Sequence, residues 1–113
     1  MKHKVVLVPF PFDDLSSTKV RPAVCLTEPI GEHRHVILAF ITSRVPDQLL
    51  STDLVFAETD RDFSATGLRV SSTLQLHRMM TVTANLIVRE LGMLPKPAQK
   101  QAEEKLKLLF GMK

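Results

Sequence analysis

The sequence predicts a mainly β domain, a small and strongly curved antiparallel sheet approaching a barrel, with one helix at its C-terminal end. Three observations lead there. Short apolar runs recur along the chain, each ended by Pro, Gly or a polar turn. Only residues 95–113 repeat their apolar side chains at the helical period. The 113 residues, 44% hydrophobic and 24% charged, suffice for one core and leave no room for a second, so a single domain over residues 1–113 is expected.

Val5-Val6-Leu7-Val8 is a short β-branched run, and Pro9-Phe10-Pro11-Phe12 stops its ladder and turns the chain outward. Residues 13–19 are polar and turn-forming, which predicts a mobile loop between two strands. Residues 20–27 form the second strand, and Glu28-Pro29-Ile30-Gly31-Glu32 punctuates. Residues 36–41 are continuously apolar, as expected of a central strand buried on both faces, and Thr42-Ser43-Arg44 is its polar end. Residues 52–56 make a further strand candidate, and residues 60–67 read as a loop. Over residues 68–76, Leu68, Val70, Leu74 and Leu76 share one parity, and Arg69, Ser71, Thr73, Gln75 and His77 share the other. Residues 79–83 and 87–91 are two more strand candidates, closed by Gly92. In the terminal helix Ala98, Ala102, Leu106, Leu109 and Phe110 fall on one face, with Pro97 in the first turn.

Composition narrows the function. The formal net charge of +3 permits a polyanionic partner without requiring one. With six Phe and no Trp or Tyr, base stacking would fall to Phe, His or Arg. The one cysteine, Cys25, lies inside an apolar run and reads as a small buried hydrophobe, which fits a reducing cytoplasm. No signal pattern opens the chain and no run is long enough for a membrane helix, so no membrane association is expected. His33-Arg34-His35 lacks the cysteines or acids that would complete a metal shell and reads as a solvated strand start, so no metal is predicted. The four glycines are isolated, which argues against a phosphate-binding loop and against nucleotide hydrolysis.

The sharpest local feature is Val20-Arg21-Pro22-Ala23-Val24-Cys25-Leu26, where a charge opens an apolar strand. A guanidinium there can offer a planar fork of donors to a phosphate; alternatively it is a surface arginine before an edge strand. Together with Leu7-Val8-Pro9-Phe10-Pro11-Phe12, the loop 13–19 and Ala39-Phe40-Ile41-Thr42-Ser43, the order and spacing resemble the MazF/PemK-like toxins of bacterial type II toxin–antitoxin pairs. These are small ribosome-independent endoribonucleases.

The resemblance spans nearly the whole chain and implies an SH3-like barrel of the MazF/CcdB/PemK-like toxin fold, a homodimer, and a groove for single-stranded RNA such as mRNA. It implies no cofactor, sequence-specific cleavage without a metal, and a cognate antitoxin whose disordered segment folds over the groove and buries Arg21. The family's active-site arginine falls on Arg21 and its active-site Thr or Ser on Thr42, with Ser43, Gln75, His77, Ser16, Ser17 and Lys19 as implied substrate-binding residues. Attack by the RNA's own 2′-hydroxyl needs groups that orient the phosphate and stabilise its charge. Arginine is a poor general base, so Arg21 is assigned to charge stabilisation, with leaving-group protonation open to it, and Thr42 to a hydrogen bond with a phosphoryl oxygen.

Two departures stand out. Family members often carry Gly-Asp before the first strand, where this chain has His3-Lys4. Many also carry Arg-x-Asp or another acid where this chain has Gln75-Leu76-His77. In the groove, His77 would alter base readout and titrate near neutral pH; on a solvated strand face it would do neither. Two further readings remain: a non-catalytic SH3-like module binding RNA or protein, and a gyrase poison of the CcdB type. The second acts through a terminal Trp-Gly-Ile, where this chain has Phe110-Gly111-Met112-Lys113.

Overall fold

In the computed structural model, which describes residues 1–9 and 19–113, six strands form one curled antiparallel sheet. They are β1 (Lys4–Pro9), β2 (Val20–Cys25), β3 (His35–Thr42), β4 (Asp53–Phe56), β5 (Ser72–Thr83) and β6 (Arg89–Met93), followed by helix α1 (Lys96–Leu109). The order across the sheet is β4-β5-β3-β2-β1-β6, so the continuously apolar strand β3 lies inside it and β4 and β6 are its edges.

Both faces of the sheet are apolar in the middle. On one, Val5, Val24, Ala39, Ile41, Leu74 and Leu76 pack with Leu94 and Ala102 beneath α1. On the other, Val6, Val8, Ala23, Cys25, Val36, Leu38, Phe40 and Val82 form a second cluster. Strand alternation sends successive residues of β2 and β3 to opposite clusters, which is why neither strand shows a polar side.

Within the sheet, two segments differ from the sequence expectation. Residues 68–71 are outside the sheet, and the two predicted strands at 68–76 and 79–83 become one long strand, β5. Its register shifts: Ala39 pairs with Met79 but Phe40 with Gln75, so Leu76, His77 and Arg78 form a bulge. Such a bulge keeps one strand continuous while re-aiming its side chains, and the sequence pattern shows it only as a break in alternation. A second bulge lies where Val5 pairs with Gly92 and Val6 with Glu90, which leaves Leu91 between them and shifts β6 two residues beyond the expected start.

The loop expected at 60–67 contains a 3-10 turn, Phe63–Thr66, clamped to β6 by two glycines. A Cβ on Gly67 would stand 2.1 Å from the Leu91 carbonyl oxygen, and one on Gly92 would stand 2.3 Å from that of Ala65. Gly67 also has φ +74°, a left-handed conformation that favours glycine.

The helix ends four residues before the predicted limit. Gly111 at φ 67° lets its amide donate to Leu108 O and the Met112 amide to Lys107 O, the paired bonds of a Schellman stop. Phe110 therefore sits past the last turn and is 61% exposed, not on the buried stripe. Met79 and Met80 are half-buried against the two clusters, and Leu86 is exposed. Among the described residues, no helix is long and apolar enough to cross a membrane.

Candidate active site

Arg21 sits second in β2, paired with Val8 of β1, and Pro22 behind it pairs with Leu7. Thr42 ends β3 and pairs with Thr73 of β5. Between the two strands Ala23 pairs with Phe40, and Arg21 and Thr42 each lie two residues beyond that pair. The β2–β3 pairing ends at Ala23–Phe40, and beyond it the pairs Val8–Arg21 and Thr42–Thr73 lie at the same end of the two strands, on the face of Ala23 and Phe40 and away from α1.

Arg21 and Thr42 are half-buried at the rim of a buried apolar patch made by Val8, Ala23 and Phe40. Apolar walls on one side lower the local dielectric, which makes a cation and a hydroxyl worth more to an incoming phosphate than they would be in open water. The Thr73 hydroxyl is already engaged, donating to the Arg44 carbonyl at 2.7 Å and tying down the chain as it leaves β3. Among the described residues the Thr42 hydroxyl makes no hydrogen bond. A guanidinium and a hydroxyl, the two donor types that suit an oxyanion, thus lie at one end of this face.

The other predicted residues divide. Gln75 pairs with Phe40 two positions along from Thr42 and so shares its face, with its amide oxygen accepting from Arg78 Nη1 at 3.5 Å. Ser43 follows Thr42 but alternates to the opposite face, and Lys19 is exposed just before β2. His77 is exposed within the β5 bulge. Ser16 and Ser17, with the rest of the predicted loop at 13–18, lie outside the described residues. The sequence singles out neither Arg78, which reaches Gln75 only because of the bulge, nor Arg69 and Arg89, which the fold brings to one groove. Their only sequence signal is a charge beside an apolar run. Among the described residues no three His, Cys, Asp or Glu side chains gather, and His33 and His35 stand side by side with ring centroids 5.9 Å apart.

Residues 2–110 match the family described as the PemK-like, MazF-like toxins of type II toxin–antitoxin systems. The chain belongs to that family. Its fold is also that of solved toxin structures. The Mycobacterium tuberculosis toxin MazF-mt6 superposes with TM-score 0.73 at 20% identity, covering 97% of this chain and 98% of that one. An endoribonuclease in complex with its cognate antitoxin, from a mycobacterial species, gives 0.70 at 13% identity, covering 100% and 96%. A MazE-MazF structure from Deinococcus radiodurans gives 0.69 at 15% identity, covering 99% and 95%. Curated protein sequences yield no match. At these identities the fold is shared while side chains are largely replaced, so the site of this PemK-like toxin rests on its own residues.

Proposed function

We propose that this toxin is an endoribonuclease that cuts single-stranded RNA at Arg21 and Thr42 without a metal. The observation that carries the reading is that Arg21 and Thr42 each lie two residues beyond the Ala23–Phe40 pair, on the sheet face opposite α1. The RNA 2′-oxygen attacks the adjacent phosphorus as its proton leaves, the P–O5′ bond breaks, and the 5′-oxygen takes up a proton. The products are a 2′,3′-cyclic phosphate and a 5′-hydroxyl. Arg21 stabilises the charge gathering on the phosphoryl oxygens, and Thr42 donates a hydrogen bond to one of them. Gln75, on the same face, contacts a neighbouring base, and His77 and Arg78 border it. The toxin acts as a homodimer and is neutralised by a cognate antitoxin; the mycobacterial endoribonuclease solved in complex with its cognate antitoxin supports the second part of that reading.

Incubating the purified protein with end-labelled RNA in EDTA tests this directly. Cleavage to 2′,3′-cyclic phosphate ends is expected, and Arg21→Ala should lose at least about a hundredfold in rate while keeping its fold. Wild-type cleavage abolished by EDTA, or Arg21→Ala cutting at the wild-type rate, overturns the mechanism.

A further inference from the structure

On the α1 side of the sheet, at the strand ends that carry Arg21 and Thr42, lies a groove of about 400 Å³. Leu7, Pro22, Leu68 and Leu91 supply apolar walls, Ser43 a hydroxyl, and Arg69 and Arg89 two guanidinium groups. Among the described residues no carboxylate lines it. Both arginines are exposed, and among the described residues neither forms an ion pair. The nearest acid in sequence, Glu90, is taken by Lys4 at 2.9 Å.

The groove is also built to hold its shape. Gly67, one of its lining residues, meets the Leu91 backbone at a separation that admits no Cβ, and Gly92 meets the Phe63–Thr66 turn in the same way. The Thr66 hydroxyl, fully buried, donates to Phe63 O at 2.7 Å and accepts from the Leu68 amide at 3.2 Å. A wall fixed in this way keeps its form whether or not an anion sits in the groove.

We infer that this groove is a second RNA subsite, in which a nucleotide flanking the cut is held with its base against the apolar walls and its phosphate between Arg69 and Arg89. The inference rests on the ribonuclease reading above. Charge complementarity selects an anion, and the apolar walls select one that carries a flat hydrophobic body. Continuity selects the RNA strand: Pro22 and Ser43, in the groove, are the chain neighbours of Arg21 and Thr42 on the opposite face. A strand cut at the first face reaches the groove by passing the ends of β2 and β3.

The test is binding of a fluorescein-labelled 2′-O-methyl RNA 14-mer of random sequence, which lacks the nucleophile and cannot be cut. Arg69→Gln/Arg89→Gln should bind it roughly tenfold more weakly at 0.1 M salt. The slope of log affinity against log salt should fall by about 0.7, the value for one neutralised phosphate on a single strand. Lys100→Gln/Lys107→Gln, with the same loss of charge on exposed turns of α1, should bind as the wild type does. If both double variants weaken binding equally, only bulk charge matters and the subsite is wrong. If the arginine variant loses an aspartate-rich peptide while keeping the RNA, the groove serves a protein partner and the inference is overturned. A wild type that cuts RNA, paired with an arginine variant that binds normally, removes the subsite alone. A wild type that neither cuts RNA nor binds the 14-mer removes both readings.

Discussion

Strands β2 and β3 present different chemistry on their two faces, and the difference lies in where each face gets its charge. On one face the pairs Val8–Arg21 and Thr42–Thr73 carry their cation on the ladder itself, held by paired neighbours. On the other, Pro22 and Ser43 bring no charge, and the cations come from the segment after Gly67 and from edge strand β6. Arg21 lies on an interior strand with a paired neighbour on either side, whereas Arg69 lies outside the sheet and Arg89, though paired with Leu7, lies on an edge strand with a neighbour on one side only. Chemistry that must be aimed at one atom belongs on the ladder, and contacts that only retain a strand can sit at the periphery.

The largest effect should come from altering the ladder pairs without removing their charge. Arg21→Lys should remain at least about a hundredfold slower than wild type in single-turnover cleavage, because one ammonium cannot replace two parallel N–H donors. Thr42→Ser should cut well and Thr42→Val should not, since the hydroxyl is all that separates valine from threonine in shape. Rates for Arg21→Lys near wild type would mean that the ladder site supplies charge alone and that its geometry is idle.

Next comes the clamp behind the other face. Gly92→Ala places a methyl against the Ala65 and Thr66 backbone, where no flexible side chain can give way. It should cost about 2 to 3 kcal/mol in urea denaturation. Gly31→Ala, at φ +73° with nothing within 4 Å, should cost about 1 kcal/mol from conformation alone. Equal losses at the two glycines would show that the Phe63–Thr66 turn is not pressed onto β6.

These two sites also mark how far the sequence could be read. Arg21, Thr42 and their strands were legible because a charge or hydroxyl at the end of an apolar run is a local signal, and β1, β2 and β3 are continuous apolar runs bounded by Pro or polar turns. The groove was not. Arg69 and Arg89 are twenty residues apart, and they come to line one groove where the Leu91 bulge and two close glycine contacts press the 63–67 turn against β6. Each of those is a tertiary event with no local periodicity. The helix was legible in type but not in length, since Gly111 stops it through a left-handed turn while the apolar spacing runs on to Phe110.

A smaller effect separates the faces by titration. Burial within the cluster that leads to Arg21 pushes the Cys25 thiol up to about 11 from 9.0. A folded-state value above the unfolded one means full stability below pH 9.0 and a loss as pH rises towards 11, at a slope of up to about 1.4 kcal/mol per pH unit. Cys25→Ala should remove that slope, and iodoacetamide should label the wild-type thiol only after unfolding. Rapid labelling of the native protein at pH 8 would show that this face opens.

The smallest effect belongs to His3, at the α1 end of the other face. Its amide donates to Cys25 O at 2.7 Å and its carbonyl accepts from the Leu94 amide at 2.9 Å, so the ring is held against the end of the sheet. Burial lowers its pKa from 6.5, with Lys2 and Lys96 adding to the fall and Glu103 and Glu28 opposing it. Nε2 lies 3.7 Å from Glu103, too long a contact to offset the lost hydration. Below pH 6.5 the unfolded chain accepts a proton that the folded one resists, so this group makes stability decline as pH drops and has no influence well above that value. His3→Gln should flatten the decline between pH 7 and 5 in parallel urea titrations. A steeper decline in the variant would mean that the Glu103 contact outweighs burial and that α1 is tied to the sheet by a charge.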